Sequence, residues 1–135
     1  MSEVNLFSRL SGGPDVIEWF GRVPRFHDAQ ILDIELRLGT PSFLRLHAWN
    51  MTDRVGGNDY IVTEKHAVIK IEIDKVHGIH LSEFHVKGIV FGFEINGTLQ
   101  RTELSWTSSF GTEGEIVGEG VSLSVSPGKP DYASC

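Results

Sequence analysis

Strict two-residue alternation is the feature that most constrains this chain. Ala67, Ile69, Ile71 and Ile73 are interleaved with Lys70, Glu72 and Asp74, and successive side chains of a strand point to opposite faces. Such a segment buries one face and wets the other, so it has to pair with neighbours that do the same. The pattern recurs. Over residues 29–38, Leu32, Ile34, Leu36 and Leu38 alternate with Asp33, Glu35 and Arg37; over 43–50, Leu44, Leu46 and Ala48 alternate with Arg45, His47 and Trp49. Ile89, Phe91, Phe93 and Ile95 repeat it, and Asn96-Gly97 then gives a strong hairpin signal leading into a strand over 98–106. Val121, Leu123 and Val125, separated by serines, predict a last strand after a turn or bulge in the glycine-rich stretch 111–120.

Only the N-terminal part has helical spacing. Pro14 suits a first helical position, Val16, Trp19, Phe20 and Val23 recur on one helical face, and Gly21 suits the stop, predicting a helix over 14–21. A weaker pattern, Val4, Phe7 and Leu10, precedes it. Residues 50–60, with Gly56 and Gly57, read as a loop, and the period is lost again over 75–88. The expectation is a mainly β (α+β) fold, an antiparallel sheet of five to seven strands with one or two short N-terminal helices. Connections this short leave no room for crossover helices. A chain of 135 residues with no linker-like tract reads as one domain over 1–135. Its expected core is Trp19, Phe20, Leu32, Ile34, Leu36, Leu44, Leu46, Ile69, Ile71, Ile73, Phe91 and Phe93.

Charge and composition exclude several function classes. A formal net charge of −6 repels phosphate backbones, which argues against nucleic acid as partner. The apolar run 67–73 is broken by Lys70 and Glu72, so no membrane-spanning helix is expected. The N-terminus lacks the pattern of a secretory signal, and the one cysteine, Cys135, has no intrachain partner. These readings point to the cytoplasm.

Catalytic and metal signatures are weak. His77, His80 and His85 lie close in sequence, but their spacing falls on an irregular segment with no cysteine or Glu-x-x-His to complete a zinc set, so no metal or cofactor is expected. His27-Asp28 are adjacent, and neighbours on a strand face opposite ways. The glutamates Glu113, Glu115 and Glu119 argue against a phosphate cradle in the glycine-rich stretch. Asp33, Glu35, Glu72 and Asp74 sit among Arg37, Arg45 and Lys70, the composition of a solvated, ion-paired face. Trp49 stands out, because it shares a strand face with Arg45 and His47: it suits an interface anchor, and equally a ring over which the loop 51–60 folds. Pairing Leu36 with Leu46 and Leu38 with Leu44 would set Glu35 opposite His47 and Asp33 opposite Trp49. Trp49, Glu35 and His47 are therefore the candidate binding residues, with no catalytic residue expected.

Trp19-Phe20-Gly21, Pro24 and Phe26-His27-Asp28-Ala29, leading into Ile31, resemble the opening of the immunity protein 50 family of bacterial polymorphic-toxin systems. Val76, Ile79, Leu81 and Phe84, followed by 89–95, resemble that family's second half, so the likeness spans roughly residues 16–95. The glycine-rich C-terminal third lies outside it. The resemblance implies a non-enzymatic protein that binds and neutralises a cognate toxin protein in the producing cell. It carries over no binding residue. The alternative class is a β-rich small-molecule binder or an unrecognised hydrolase, which requires a deep pocket with convergent polar groups.

Overall fold

The computed structural model describes residues 3–21, 26, 29–55, 61–83 and 89–128. Two helices, α1 (Glu3–Arg9) and α2 (Gly13–Phe20), precede six strands: β1 (Gln30–Glu35), β2 (Ser42–Val55), β3 (Ile61–Ser82), β4 (Ile89–Gly97), β5 (Thr102–Phe110) and β6 (Glu113–Pro127). All strand pairs are antiparallel, as expected, and the sheet closes on itself in the order β1-β2-β3-β6-β5-β4. Two three-stranded meanders are thus joined along β3–β6 and closed along β1–β4. The closing seam is short: Gln30 pairs with Ile89, and the Val90 N–H donates to the Ala29 carbonyl at 2.8 Å.

Inward-facing apolar residues fill the barrel. Leu44, Leu46 and Ala48 of β2 meet Ala67, Ile69, Ile71 and Ile73 of β3, and Leu104, Trp106, Ile116, Val121 and Leu123 complete the wall. The helices pack on this core through Leu6, Phe7, Leu10, Val16 and Phe20. They are held on β6 where β5 no longer borders it, because the Leu123 N–H donates to the Ser11 carbonyl at 2.7 Å. Trp106 is buried whole because its Nε1–H reaches the Thr112 carbonyl at 3.2 Å.

The first hairpin departs from the expected register. β1 ends at Glu35 rather than 38, and its partners are Ile31↔Leu46, Asp33↔Arg45, Ile34↔Leu44 and Glu35↔Phe43. A bulge between Ile31 and Asp33 shifts the inward set by one, so Ile31 is buried and Leu32 only partly, and because β1 stops at Glu35, Leu36 and Leu38 lie in the connection at 51% and 102% exposure. The alternation of four leucines and isoleucines therefore overstated the strand. The connection is pinned instead by Ser42, whose Oγ accepts the Arg37 N–H at 2.8 Å. Of the expected core, Phe20, Leu44, Leu46, Ile69, Ile71 and Ile73 are buried and Trp19, Ile34 and Phe93 pack partly against them, whereas Leu36 and Phe91 are exposed.

Three segments expected to be irregular belong to strands. β2 runs on to Val55 and β3 begins at Ile61, so much of the expected 50–60 loop extends the β2–β3 ladder. β3 continues through 75–82, where a left-handed Lys75 (φ 52°) and a register shift between Val76 and Gly78 bend it without ending it. The glycine-rich stretch forms most of β6. A Cβ on Gly118 would collide with Ile73, and one on Gly114 with the backbone of β3, so these glycines let strands approach closely rather than turn. The Asn96-Gly97 signal is offset as well. Thr98 and Arg101 exchange backbone hydrogen bonds at 2.9 and 3.2 Å, which places the two-residue turn at Leu99-Gln100.

Candidate functional site

The barrel wall turns β2 residues Phe43, Arg45, His47 and Trp49 outward, because Leu44, Leu46 and Ala48 alternate inward. Cross-strand rows follow from the ladders: Asp33, Arg45, Lys70 and Ser124 form one, and Glu35, Phe43, Glu72 and Ser122 the next. Charges on this side are matched. Arg45 clamps Asp33 with two contacts, one of them Nε–H to Oδ1 at 2.8 Å, and Arg37 pairs with Glu35. Lys70 Nζ stands 4.3 Å from the Phe43 ring centre, with the Arg37 guanidinium 5.5 Å from the same ring. Half-exposed pairs of this kind each contribute at most about 1 kcal/mol.

Glu35 is not brought to His47. It lies opposite Phe43, four residues or about 13 Å along β2 from His47. His47 instead pairs with Gln30 and Val68, and Trp49 is not opposite Asp33. The physical reason for both departures is the hairpin connection: β1 stops at Glu35 and residues 36–41 make the turn, which shifts β1 four residues along β2 relative to the expected register.

What His47 does meet is a ring cluster at the upper end of the barrel. His47 Nε2 and His66 Nδ1 are 3.0 Å apart, so one ring donates and the other accepts a shared proton. Trp49 touches both, with ring centres 4.8 Å from His47 and 5.6 Å from His66. His47 is only 6% exposed although it faces out of the barrel, and Trp49 is half-buried. His66 is held from the other side, its carbonyl accepting the Gly128 N–H at 2.7 Å. Above this point, among the described residues, the ladder continues as β2 with β3 through Asn50↔Glu64, Met51↔Thr63 and Val55↔Ile61. Sequence spacing offered no route to His66, because its diagonal placement beside His47 depends on the β2–β3 register.

The other histidines separate. His77 pairs with Glu119 at 2.7 Å across β3 and β6, and His80 lies in the row of Glu115. His27, Asp28 and His85 fall outside the described residues. Among the described residues no three His, Cys, Asp or Glu side chains are grouped to hold a metal, and no buried side-chain nitrogen or oxygen lacks a partner. No described helix is long and apolar enough to cross a membrane.

No family model, curated protein or solved structure matches the chain.

Proposed function

We propose that this chain is a non-enzymatic, protein-binding inhibitor that neutralises a cognate bacterial toxin in the cytoplasm of the producing cell. The observation that carries the reading is Trp49, an outward tryptophan fixed in place by two histidine rings. A large aromatic side chain whose rotamer is already fixed binds with little further loss of entropy, which is why such residues dominate interface energies. The resemblance over residues 16–95 supplies the partner class, and the net charge of −6 supplies a sign suited to attracting a basic toxin.

Co-expression with the toxin candidates encoded beside its gene tests the proposal, a rescued cell and a copurified complex being the expected result. Trp49→Ala is expected to weaken that complex at least about tenfold while costing about 1 kcal/mol in stability. Paired measurements of urea unfolding and affinity decide the matter. A large stability loss with unchanged affinity would make the tryptophan a bracket for the β2–β3 ladder and remove it from the interface.

A further inference from the structure

The short seam that closes the barrel sets the half-buried Trp49 and an exposed apolar group on one side of it. Ile89, Gln30 and His47 occupy one cross-strand row, so β4 lies two strands, or about 10 Å, from β2 at this level. Trp49 is the next outward residue beyond His47 on β2. On β4, register shifts on both sides of Val90 disturb the alternation that the sequence suggests: Val90 is buried, Phe93 stacks on Trp106 with ring centres 6.0 Å apart, and the residues between them, Phe91 and Gly92, form a bulge. Phe91 is thereby turned out to 61% exposure, with Ile89 beside it at 39%. An isolated glycine within a strand pattern is the sequence signal for such a bulge.

Charge is not spread evenly around this barrel. On the β1–β2 side the acidic groups have cationic partners, Asp33 with Arg45 and Glu35 with Arg37. Strands β4, β5 and β6 carry Glu94, Glu103, Glu113, Glu115 and Glu119 and no lysine or arginine, Arg101 lying in the turn between β4 and β5. The ladders put Glu94, Ser105, Glu115 and His80 in one row and Asn96, Glu103 and Val117 in the next. Short side chains therefore separate the carboxylates, and this wall begins beside Phe91.

We infer that Trp49, Ile89 and Phe91, continued by the glutamates of β4–β6, form one docking face for a protein segment in which an aromatic or aliphatic side chain is flanked by lysine or arginine. The apolar side chain settles on Ile89 and Phe91 with Trp49 on the same side of the barrel, and the flanking cations meet Glu94, Glu103 and Glu115. Like charges gathered on one exposed wall repel one another mildly. A cationic partner turns that cost into attraction and raises the rate of encounter. The inference rests on the protein-binding reading above and adds to it the surface and the chemistry of the partner.

Panning the whole protein against a displayed library of short random peptides tests this without a known toxin. Enriched peptides are expected to carry an apolar residue between basic ones. The synthetic form of the best peptide is expected to lose at least about tenfold in affinity on Phe91→Ser or on Glu94→Gln with Glu115→Gln, and to bind more weakly as salt is raised. Both variants alter exposed side chains and are expected to melt no lower than the wild type, the double glutamine variant at or slightly above it, which separates lost binding from lost folding. Neutral or acidic winners, no winners, or peptides indifferent to Phe91→Ser would overturn the inference. Failed toxin rescue alongside a mapped basic peptide would remove the immunity reading alone, whereas a toxin complex unaffected by Phe91→Ser would remove this surface alone.

Discussion

Gly12→Ala is expected to be among the most damaging single-methyl additions available to this protein, costing about 2–5 kcal/mol. Two separate causes add. Gly12 has φ +80° at the N-cap of α2, a left-handed conformation that costs an L-residue roughly 1–2 kcal/mol. Its missing Cβ would also land on the Leu123 carbonyl oxygen, well inside van der Waals contact. That clash cannot be relieved by a side-chain rotation, since the neighbour is backbone and the adjoining Leu123 N–H is bonded to Ser11. Gly21→Ala is the internal control, because Gly21 has the same φ of +80° with no atom near its Cβ position. It should lose only the conformational part. Urea unfolding of the two variants separates the terms; equal losses would show that the helical pair is not clamped to β6 as described.

Ile71→Ala is expected to cost about 2–5 kcal/mol, the range for opening a cavity at a fully buried aliphatic residue. Ile71 sits between Leu44 of β2 and Leu123 of β6, so the loss falls where both meanders meet. Leu36→Ala should by contrast change stability by no more than about 0.5 kcal/mol, since half of that side chain is exposed. Thermal or urea melts of the pair test the register of the first hairpin directly. Under the simpler register, with Leu36 facing Leu46, the two substitutions would cost similar amounts.

The candidate binding face was legible only in part. Trp49 could be placed outward from the residues around it, because Leu46 and Ala48 dictate which face of β2 is dry. Glu35 was misplaced because β1 ends there and 36–41 form the connection, a four-residue shift of register that a period of two cannot distinguish. Phe91 was assigned to the core because a bulge adds a residue to one strand without altering its composition: read alone, 89–95 is a regular alternation, and the departure is marked by Gly92. His66 had no local signal at all.

What the sequence determined by itself was the choice of elements. The period of 2 in 43–50, 67–74, 89–95 and 121–125 left no alternative to strands with one dry face, and Pro14, the spacing of Val16 and Phe20, and Gly21 bounded α2 closely. Tertiary structure decided how far those strands run, how they register and that they close. Segments such as 75–82 and 113–120 lack a hydrophobic period, yet their backbone groups find partners along β3 and β6, and pairing sustains a strand that side-chain pattern does not announce. Closure depends on a contact distant in sequence, Gln30 with Ile89, and that same contact brings Trp49 and Phe91 to one side of the barrel. Local periodicity reports which side of a strand is buried; only the assembled barrel determines which outward residues become neighbours.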